Sequence, residues 1–366
     1  MQNCRTIIRQ ASQQTQPIEL SIEDANHWGR HGIPGFQFEA HQLSPGPFLA
    51  ITNFYPLGES HIQIISVDQR IAHWGKTEDY FVHLIYILQS PTSWKINGWT
   101  LHKGMALIIG EGVEIIGSIP ADMRWCSLVI ERSRLSDWNF GQSISHIKVF
   151  ETHRDEAEKY EILLNHLSRI YPSKNSEAAQ EFLPAKVEKL LLTHFQQMLK
   201  QENLLAACSR ETNKLTLIRK TIVTMMSFPM DQLRMSHLSN ACGACATTIN
   251  AAFQDLWDIS TIHFLLTLRL SGAKRELLES QSRPVLVTDV AISWGFWHFG
   301  RFAQYFKRQF GEVPSATLKR GTAGLARLPK LSHFQAMTTA EPRDTSRFLK
   351  ESSRLDGLVT DYPESR

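Results

Sequence analysis

The chain has 366 residues, enough for two domains and long for one. Its 42% hydrophobic and 20% charged residues are those of a soluble globular protein, and no run of about eighteen apolar residues exists to span a membrane. The net charge of +3 is unevenly divided: residues 212–320 hold 13 Lys/Arg against 7 Asp/Glu, residues 1–211 hold 19 against 23, and residues 321–366 hold 7 against 6. Positive charge therefore gathers in one segment, as attraction to a polyanion such as DNA requires. The five cysteines are few and scattered, which excludes a disulfide framework and suits a reducing compartment. The first residues, MQNCRTIIRQASQQTQ, lack the apolar stretch of a signal peptide, so a cytoplasmic location is expected.

In chain order, residues 1–17 read as a polar, flexible arm. From 18 to 135 short apolar segments alternate with Gly, Pro and Asn, the pattern of seven or so strands in a barrel or double-sheet sandwich. Asn97-Gly98 between Trp94 and Leu101 is a hairpin signal. Residues 136–211 carry two helical patterns. One, from Asp155, aligns Tyr160, Leu163, Leu164, Leu167 and Ile170; the other, over 182–201, aligns Val187, Leu190, Leu191, His194 and Met198. Glu202 to Asn213 reads as a linker.

Within the domain expected over 212–320, residues 215–318 read as seven helices. Leu238 to Gly243 and Ala246 to Leu256 form one helix-turn-helix, and a long helix from Thr261 to Glu279 follows. About nineteen residues at ~1.5 Å each span roughly 28 Å, close to the ~34 Å between successive turns of one DNA face. After Arg283-Pro284 comes DVAISWGFWHFGRFAQYFKRQFGEVPSATL, from Asp289. Gly295 supplies a turn between two helices. Phe299, Phe302, Ala303, Phe306 and Phe310 then make the apolar stripe of a second helix. Its other face presents His298, Arg301, Gln304, Tyr305, Lys307 and Arg308, each able to reach a base edge or a phosphate, and none acidic. Residues 321–366, rich in Ser, Arg, Glu and Pro, read as a disordered tail, with Leu325 to Phe334 as a candidate short docking helix.

The pattern Asp289-Val290-Ala291, Gly295-Phe296, Arg301-Phe302, Phe306-Lys307, Phe310-Gly311 and Pro314-Ser315 resembles the second helix-turn-helix of AraC/XylS-type transcription regulators. The resemblance implies an α+β protein of two domains. An N-terminal β-rich, cupin-like sensor domain is followed by helices, and a C-terminal all-α domain carries two helix-turn-helix units joined by a long helix. It implies a non-enzymatic, sequence-specific transcription regulator, expected to be an activator, with double-stranded DNA and RNA polymerase as partners and a small-molecule effector. For the two helical patterns of 136–211 it offers a homodimer contact, with packing onto the barrel as the alternative. In the second unit His298, Arg301 and Gln304 are expected on base edges, Lys307 and Arg308 on phosphate, and Tyr305 and Phe299 beside them, Phe299 facing either a thymine methyl or the core. The first unit departs from the family pattern: Cys245, Ala246 and Thr247 stand where a cap and Arg residues are usual. Ala246, Thr247, Thr248 and Asn250 remain as its candidate contacts, and Asp258 near DNA is expected to be mildly repulsive.

Other chemistry has weaker footing. Cys242-Gly243-Ala244-Cys245 has CxxC spacing, but no second pair completes a zinc site. The barrel region has seven histidines and no His-x-His, so no metal or other cofactor is expected. No Walker loop, GxGxxG or GxSxG occurs, and no catalytic residue is nominated. Trp74, Tyr80, His83, Trp94 and Trp99 are the candidate effector-pocket residues. Two alternatives stay open: an interaction module that has lost DNA binding, and an enzyme whose catalytic barrel carries an accessory DNA-binding domain.

Overall fold

A computed structural model describes residues 17–322, apart from 34, 58–59, 136–145, 171–183, 200–203, 207–212 and 281–284. Residues 1–16 of the expected arm, residues 323–366 of the expected tail and Arg283-Pro284 lie outside these. Two sheets dominate the amino-terminal half. The larger has the order β1-β3-β4-β11-β6-β9-β12-β13 and the smaller β2-β5-β10-β7-β8, with all pairings antiparallel. In chain order the strands are β1 Ile18–Ile22, β2 Phe36–Gln42, β3 Ala50–Pro56, β4 His61–Val67, β5 Ile71–Thr77, β6 Phe81–Gln89, β7 Trp94–Ile96, β8 Trp99–Leu101, β9 Met105–Ile109, β10 Glu114–Ile119, β11 Met123–Glu131, β12 Ile147–Glu151 and β13 Leu204–Ala206. Asn97 (φ 45°) and Gly98 (φ 78°) form the expected two-residue turn between β7 and β8, the left-handed pair that Asn-Gly supplies at least strain.

The alternation of side chains sorts them into three layers. Between the sheets lie Ile65, Val67, Ile85, Ile87, Trp94, Trp125 and Ile115, joined by Trp28 of helix α1 (Ala25–His31). The outer face of the large sheet, including Ile62, Ile64, Leu84, Tyr86 and Leu128, is covered by α2 (Arg154–Ile170) and α3 (Pro184–Met198). The outer face of the small sheet presents Ala72, Trp74 and Ile116, and the helical carboxyl-terminal half packs there. Strands buried on both faces need apolar residues throughout, which is why β9 (MALII) shows no alternation.

Two expectations change, and one open choice is narrowed. The large sheet continues through β12 and β13, inside the stretch read as helical and linker. Ile147-Lys-Val-Phe-Glu is a short β-branched and aromatic run whose pairing to β9 is set by tertiary contact. In α3 the buried residues are Glu188, Leu191, Phe195 and Met198, so Leu190 is exposed and Val187 and His194 only half-buried. Glu188 is tolerated in this layer because Arg134 donates to its Oε2 at 3.0 Å and pairs with the carboxylate as an ion pair, 2.8 Å from Oε1. Of the two readings of these helices, their apolar faces show barrel packing: Tyr160, Leu164 and Leu167 sit on the large sheet with Phe195.

The carboxyl-terminal half contains α4 (Asn213–Ser227), α5 (Met235–Cys242), α6 (Ala246–Trp257), α7 (Thr261–Glu279), α8 (Val287–Ser293), α9 (Phe299–Phe310) and α10 (Pro314–Thr322). Helix α7 has the expected nineteen residues, and Ser260 caps it by accepting from His263 N at 3.2 Å. It belongs to two cores. Phe264, Leu265 and Leu268 join the α4–α6 cluster, while Leu270, Ala273 and Leu277 join that of α8 and α9.

Candidate nucleic-acid interface

The second helix pair is built around a close turn. Helix α8 ends in Gly295 (φ 79°), whose N–H donates to Ile292 O, and Phe296 N reaches Ala291 O at 2.8 Å. A Cβ at Gly295 would meet Met230 O at 3.0 Å, so both conformation and space demand glycine. Phe302, Phe306 and Phe310 are 1%, 0% and 7% exposed and stack edge-on along one side of α9, with centroids 5.5 and 4.8 Å apart. Gly311 (φ 77°) closes the helix.

His298, Arg301, Gln304, Tyr305, Lys307 and Arg308 are all exposed on the turn and on α9. Among the described residues no carboxylate pairs with Arg301, Lys307 or Arg308, and α9 contains no acid. Phe299 departs from the stripe: it is 44% exposed, because it precedes the first turn that the core of this unit covers. The pair is locked to α7 by Trp294, whose ring lies where a side chain at position 272 would project. A Cβ on Gly272 would fall 2.0 Å from the indole, and the indole N–H donates to Glu276 at 2.8 Å. Gly272→Val should therefore expel Trp294 and lower stability by about 1–3 kcal/mol. Amide exchange over 287–310 accelerating more than over 246–257 checks this; uniform protection would refute it.

In the first unit α5 ends at Gly243 (φ 63°), and Cys245 occupies the N-cap of α6 without a side-chain capping bond. Ala246, Thr247, Thr248 and Asn250 are exposed. Cys245 Sγ lies 3.1 Å from Thr248 Oγ1, and this contact holds the thiol below its ordinary pKa. Asn250 is already engaged, accepting from Thr261 N at 3.1 Å and so tying α6 to the start of α7. Helix α6 carries no basic side chain, against the three of α9.

A family model described as a helix-turn-helix domain matches residues 238–320, from α5 into α10. The probable thc operon regulatory protein of Rhodococcus erythropolis is 26% identical over 103 residues, which is 28% of this chain and 31% of that protein. XylDLEGF operon transcriptional activator 1 of Pseudomonas putida is 34% identical over 58 residues, 16% of this chain and 18% of that protein. This chain carries an AraC/XylS-type helix-turn-helix domain. The alignments span less than a third of the length of these curated relatives. The AraC-like transcriptional activator CuxR, a solved structure, aligns at a TM-score of 0.38 and 11% identity over 75% of this chain and 100% of that one.

The AraC/XylS-type domain is seated on the barrel by the carboxyl ends of both helices that follow its turns. At the end of α6, Trp257 donates its indole N–H to Gly117 O at 2.8 Å and stacks on Phe264 (4.5 Å), and its carbonyl accepts from Arg70. Asp258 (φ 52°) is paired with Arg70 at 3.5 Å and Lys95 at 3.6 Å. Its side chain remains 61% exposed, and these two cations of the barrel offset the charge expected to stand near DNA. At the end of α9, Gln309 and Gln42 exchange side-chain to main-chain bonds of 2.8 and 3.1 Å, and Gly46 N donates to Arg308 O and Gln309 O. Neither seat has a local sequence signal, because their partners lie far apart in the chain.

The five candidate pocket residues are not brought together. Trp94 lies within the barrel, 6.1 Å from Trp125, and Trp99 packs half-buried against the same core. Trp74 faces out of the barrel onto Trp257 and Phe264 of the AraC/XylS-type domain, and Tyr80 is 52% exposed in a turn. His83 is buried, bonded to Gly35 O at 3.0 Å and to Ser127 Oγ at 3.3 Å. Two open surface depressions lie elsewhere, one of about 530 Å³ beside His153–Glu156 and Gln197, the other of about 350 Å³ beside Arg275, Glu279 and Trp294. Among the described residues no group of three or more His, Cys, Asp or Glu is placed to hold a metal, and no helix is long and apolar enough to cross a membrane.

Proposed function

We propose that the chain is a sequence-specific DNA-binding transcription regulator, with α9 as its principal reading helix. The observation that carries this is the exposed face of α9: three cations without acidic partners among the described residues, an amide and a phenol, backed by a buried phenylalanine stripe. A helix of this kind set on a glycine turn suits insertion into a major groove. Helix α6, lacking cations and with Asn250 spent on an intramolecular bond, contributes less through Ala246, Thr247 and Thr248. Helix α7, about 28 Å long, spaces the two readers for adjacent grooves of one DNA face.

Activation of transcription with RNA polymerase as partner is part of the same reading, since the Pseudomonas putida relatives are named as operon activators. The barrel is the natural receiver of a small-molecule signal, because it contacts both readers through Arg70, just before β5, and through Lys95 and Gln42 of the small sheet. Exposed Ile162 (58%) and Leu190 (44%) on α2 and α3 offer an apolar surface to a second copy.

Arg301 and Lys307 divide the labour. Arg301→Ala should cost about 1–3 kcal/mol on a selected site and relax preference at one base pair, as loss of a bidentate guanine contact does. Lys307→Ala should weaken binding to all duplexes alike and reduce the salt slope by about one. Titration of both variants on selected and scrambled duplexes at two salt concentrations is the test. Equal behaviour of the two variants refutes the division, and duplex affinity indifferent to salt refutes DNA binding itself.

A further inference from the structure

The amino-terminal end of α9 holds a glycine that the fold does not explain. Among the described glycines of the helical domain, Gly243, Gly295 and Gly311 have positive φ, while Gly272 and Gly321 are crowded by Trp294 and by Leu277 O. Gly300 has neither reason. It lies in the first turn of α9, it is exposed, and none of the described residues stands within 4 Å of the place a Cβ would take. Glycine is a poor helix former, so this position sacrifices helix stability without any gain inside the chain. The feature that a missing side chain serves must therefore approach from outside.

Its neighbours indicate what approaches. Trp297 and Phe299 are 62% and 44% exposed, and Arg301 follows with no carboxylate partner among the described residues. An apolar ring, a bare backbone and a cation thus succeed one another at the tip of the helix. In a major groove the apolar feature is the thymine C5-methyl, and the cation matches guanine or phosphate oxygens. An acidic protein surface would satisfy Arg301 but would leave Phe299 and Trp297 against charge.

We propose that Phe299 and Gly300 form a close-approach site for thymine: the Phe299 ring packs on a C5-methyl group, and the absent side chain of Gly300 lets the first turn of α9 descend to the base edges. This rests on the DNA-binding reading above and adds a base-specific element to it. Gly300 is a clearance position and Phe299 a specificity-determining one.

The test uses the full chain and a duplex selected from a randomised pool. Gly300→Ala should raise the melting temperature by about 1–3 °C, since alanine is the better helix former. The same variant should lose at least about tenfold in affinity for the selected duplex and bind a scrambled duplex as before. Replacing each thymine of the selected site by deoxyuridine, which removes only the methyl group, should weaken the unaltered protein about three- to tenfold at one position. Phe299→Ala should be indifferent to that replacement. Unchanged affinity of the Gly300→Ala protein for the selected duplex, or an equal deoxyuridine penalty in Phe299→Ala, overturns this inference and leaves the DNA reading standing. Failure of the unaltered protein to bind any duplex in a salt-dependent way overturns both.

Discussion

Acidification from pH 7 towards pH 4 should unfold the barrel. His61, His73 and His83 are buried within it and His41 beside it, and burial depresses their pKa values, to about 3 for the first three and about 4 for His41. Glu39 pulls His41 the other way, and the bond to Gly35 O does so for His83, but burial outweighs both. The sign follows from proton counting. In the folded chain these rings stay neutral down to their depressed values, whereas in the unfolded chain they take up protons near 6.5. Between about pH 6.5 and pH 4 the unfolded state therefore binds more protons, and stability falls as pH falls. Each ring contributes about 1.4 kcal/mol per pH unit, so four together approach about 5 kcal/mol per unit, against a typical total of ~5–15 kcal/mol. Urea unfolding followed by tryptophan fluorescence from pH 8 to pH 4 measures this. His73→Leu should flatten the slope by about one proton. A pH-independent midpoint would contradict the neutral burial of these rings.

Lys274→Ala should be strongly destabilising to the helical half and to its seating on the barrel. Lys274 is 3% exposed on α7, its ammonium lies 2.8 Å from Asp24 Oδ2 at the start of α1, and it sits 4.6 Å over the Phe310 ring at the end of α9. It thus joins the barrel, the long helix and α9. Asp24 has spent its other oxygen on His27 N, and Lys274 helps to hold its carboxyl below the usual range although burial opposes this. Removing the cation strands a carboxylate in the interface, which costs about 3–5 kcal/mol. The double variant Asp24→Asn, Lys274→Met should recover most of that loss, because the buried charge is then gone from both sides. Calorimetry should show one cooperative transition in the unaltered protein and two in Lys274→Ala, as the halves uncouple. An unshifted transition would mean that the pair does not join the halves.

The parts that are legible in the sequence are those whose signal is local. The phenylalanine stripe of α9, the length of α7 and the Asn97-Gly98 turn each follow from residues within a few positions of one another. Long-range partners hide the rest. Trp74 reads as a pocket residue, yet it turns outward because Trp257 and Phe264, nearly two hundred positions away, cover the small sheet. Asn250 reads as a base contact, but Thr261 N claims its side-chain oxygen. Phe299 fits the period of the stripe, but the core stops one turn short of it. Strands β12 and β13 are short and are defined by partners in other parts of the chain.

The seating of α6 and α9 by their carboxyl ends on one small sheet makes the barrel a spacer gauge. With Trp257 held at Gly117 and Gln309 at Gln42, the tips of the two helices cannot separate without breaking one of those anchorages. Under the proposed reading by both helices, inserting one base pair between the two half-sites displaces one of them by about 3.4 Å along the DNA axis. Tolerance of such insertions then becomes a gauge of how firmly the sheet grips, and a signal that loosened either anchorage would widen the range of operators the protein accepts.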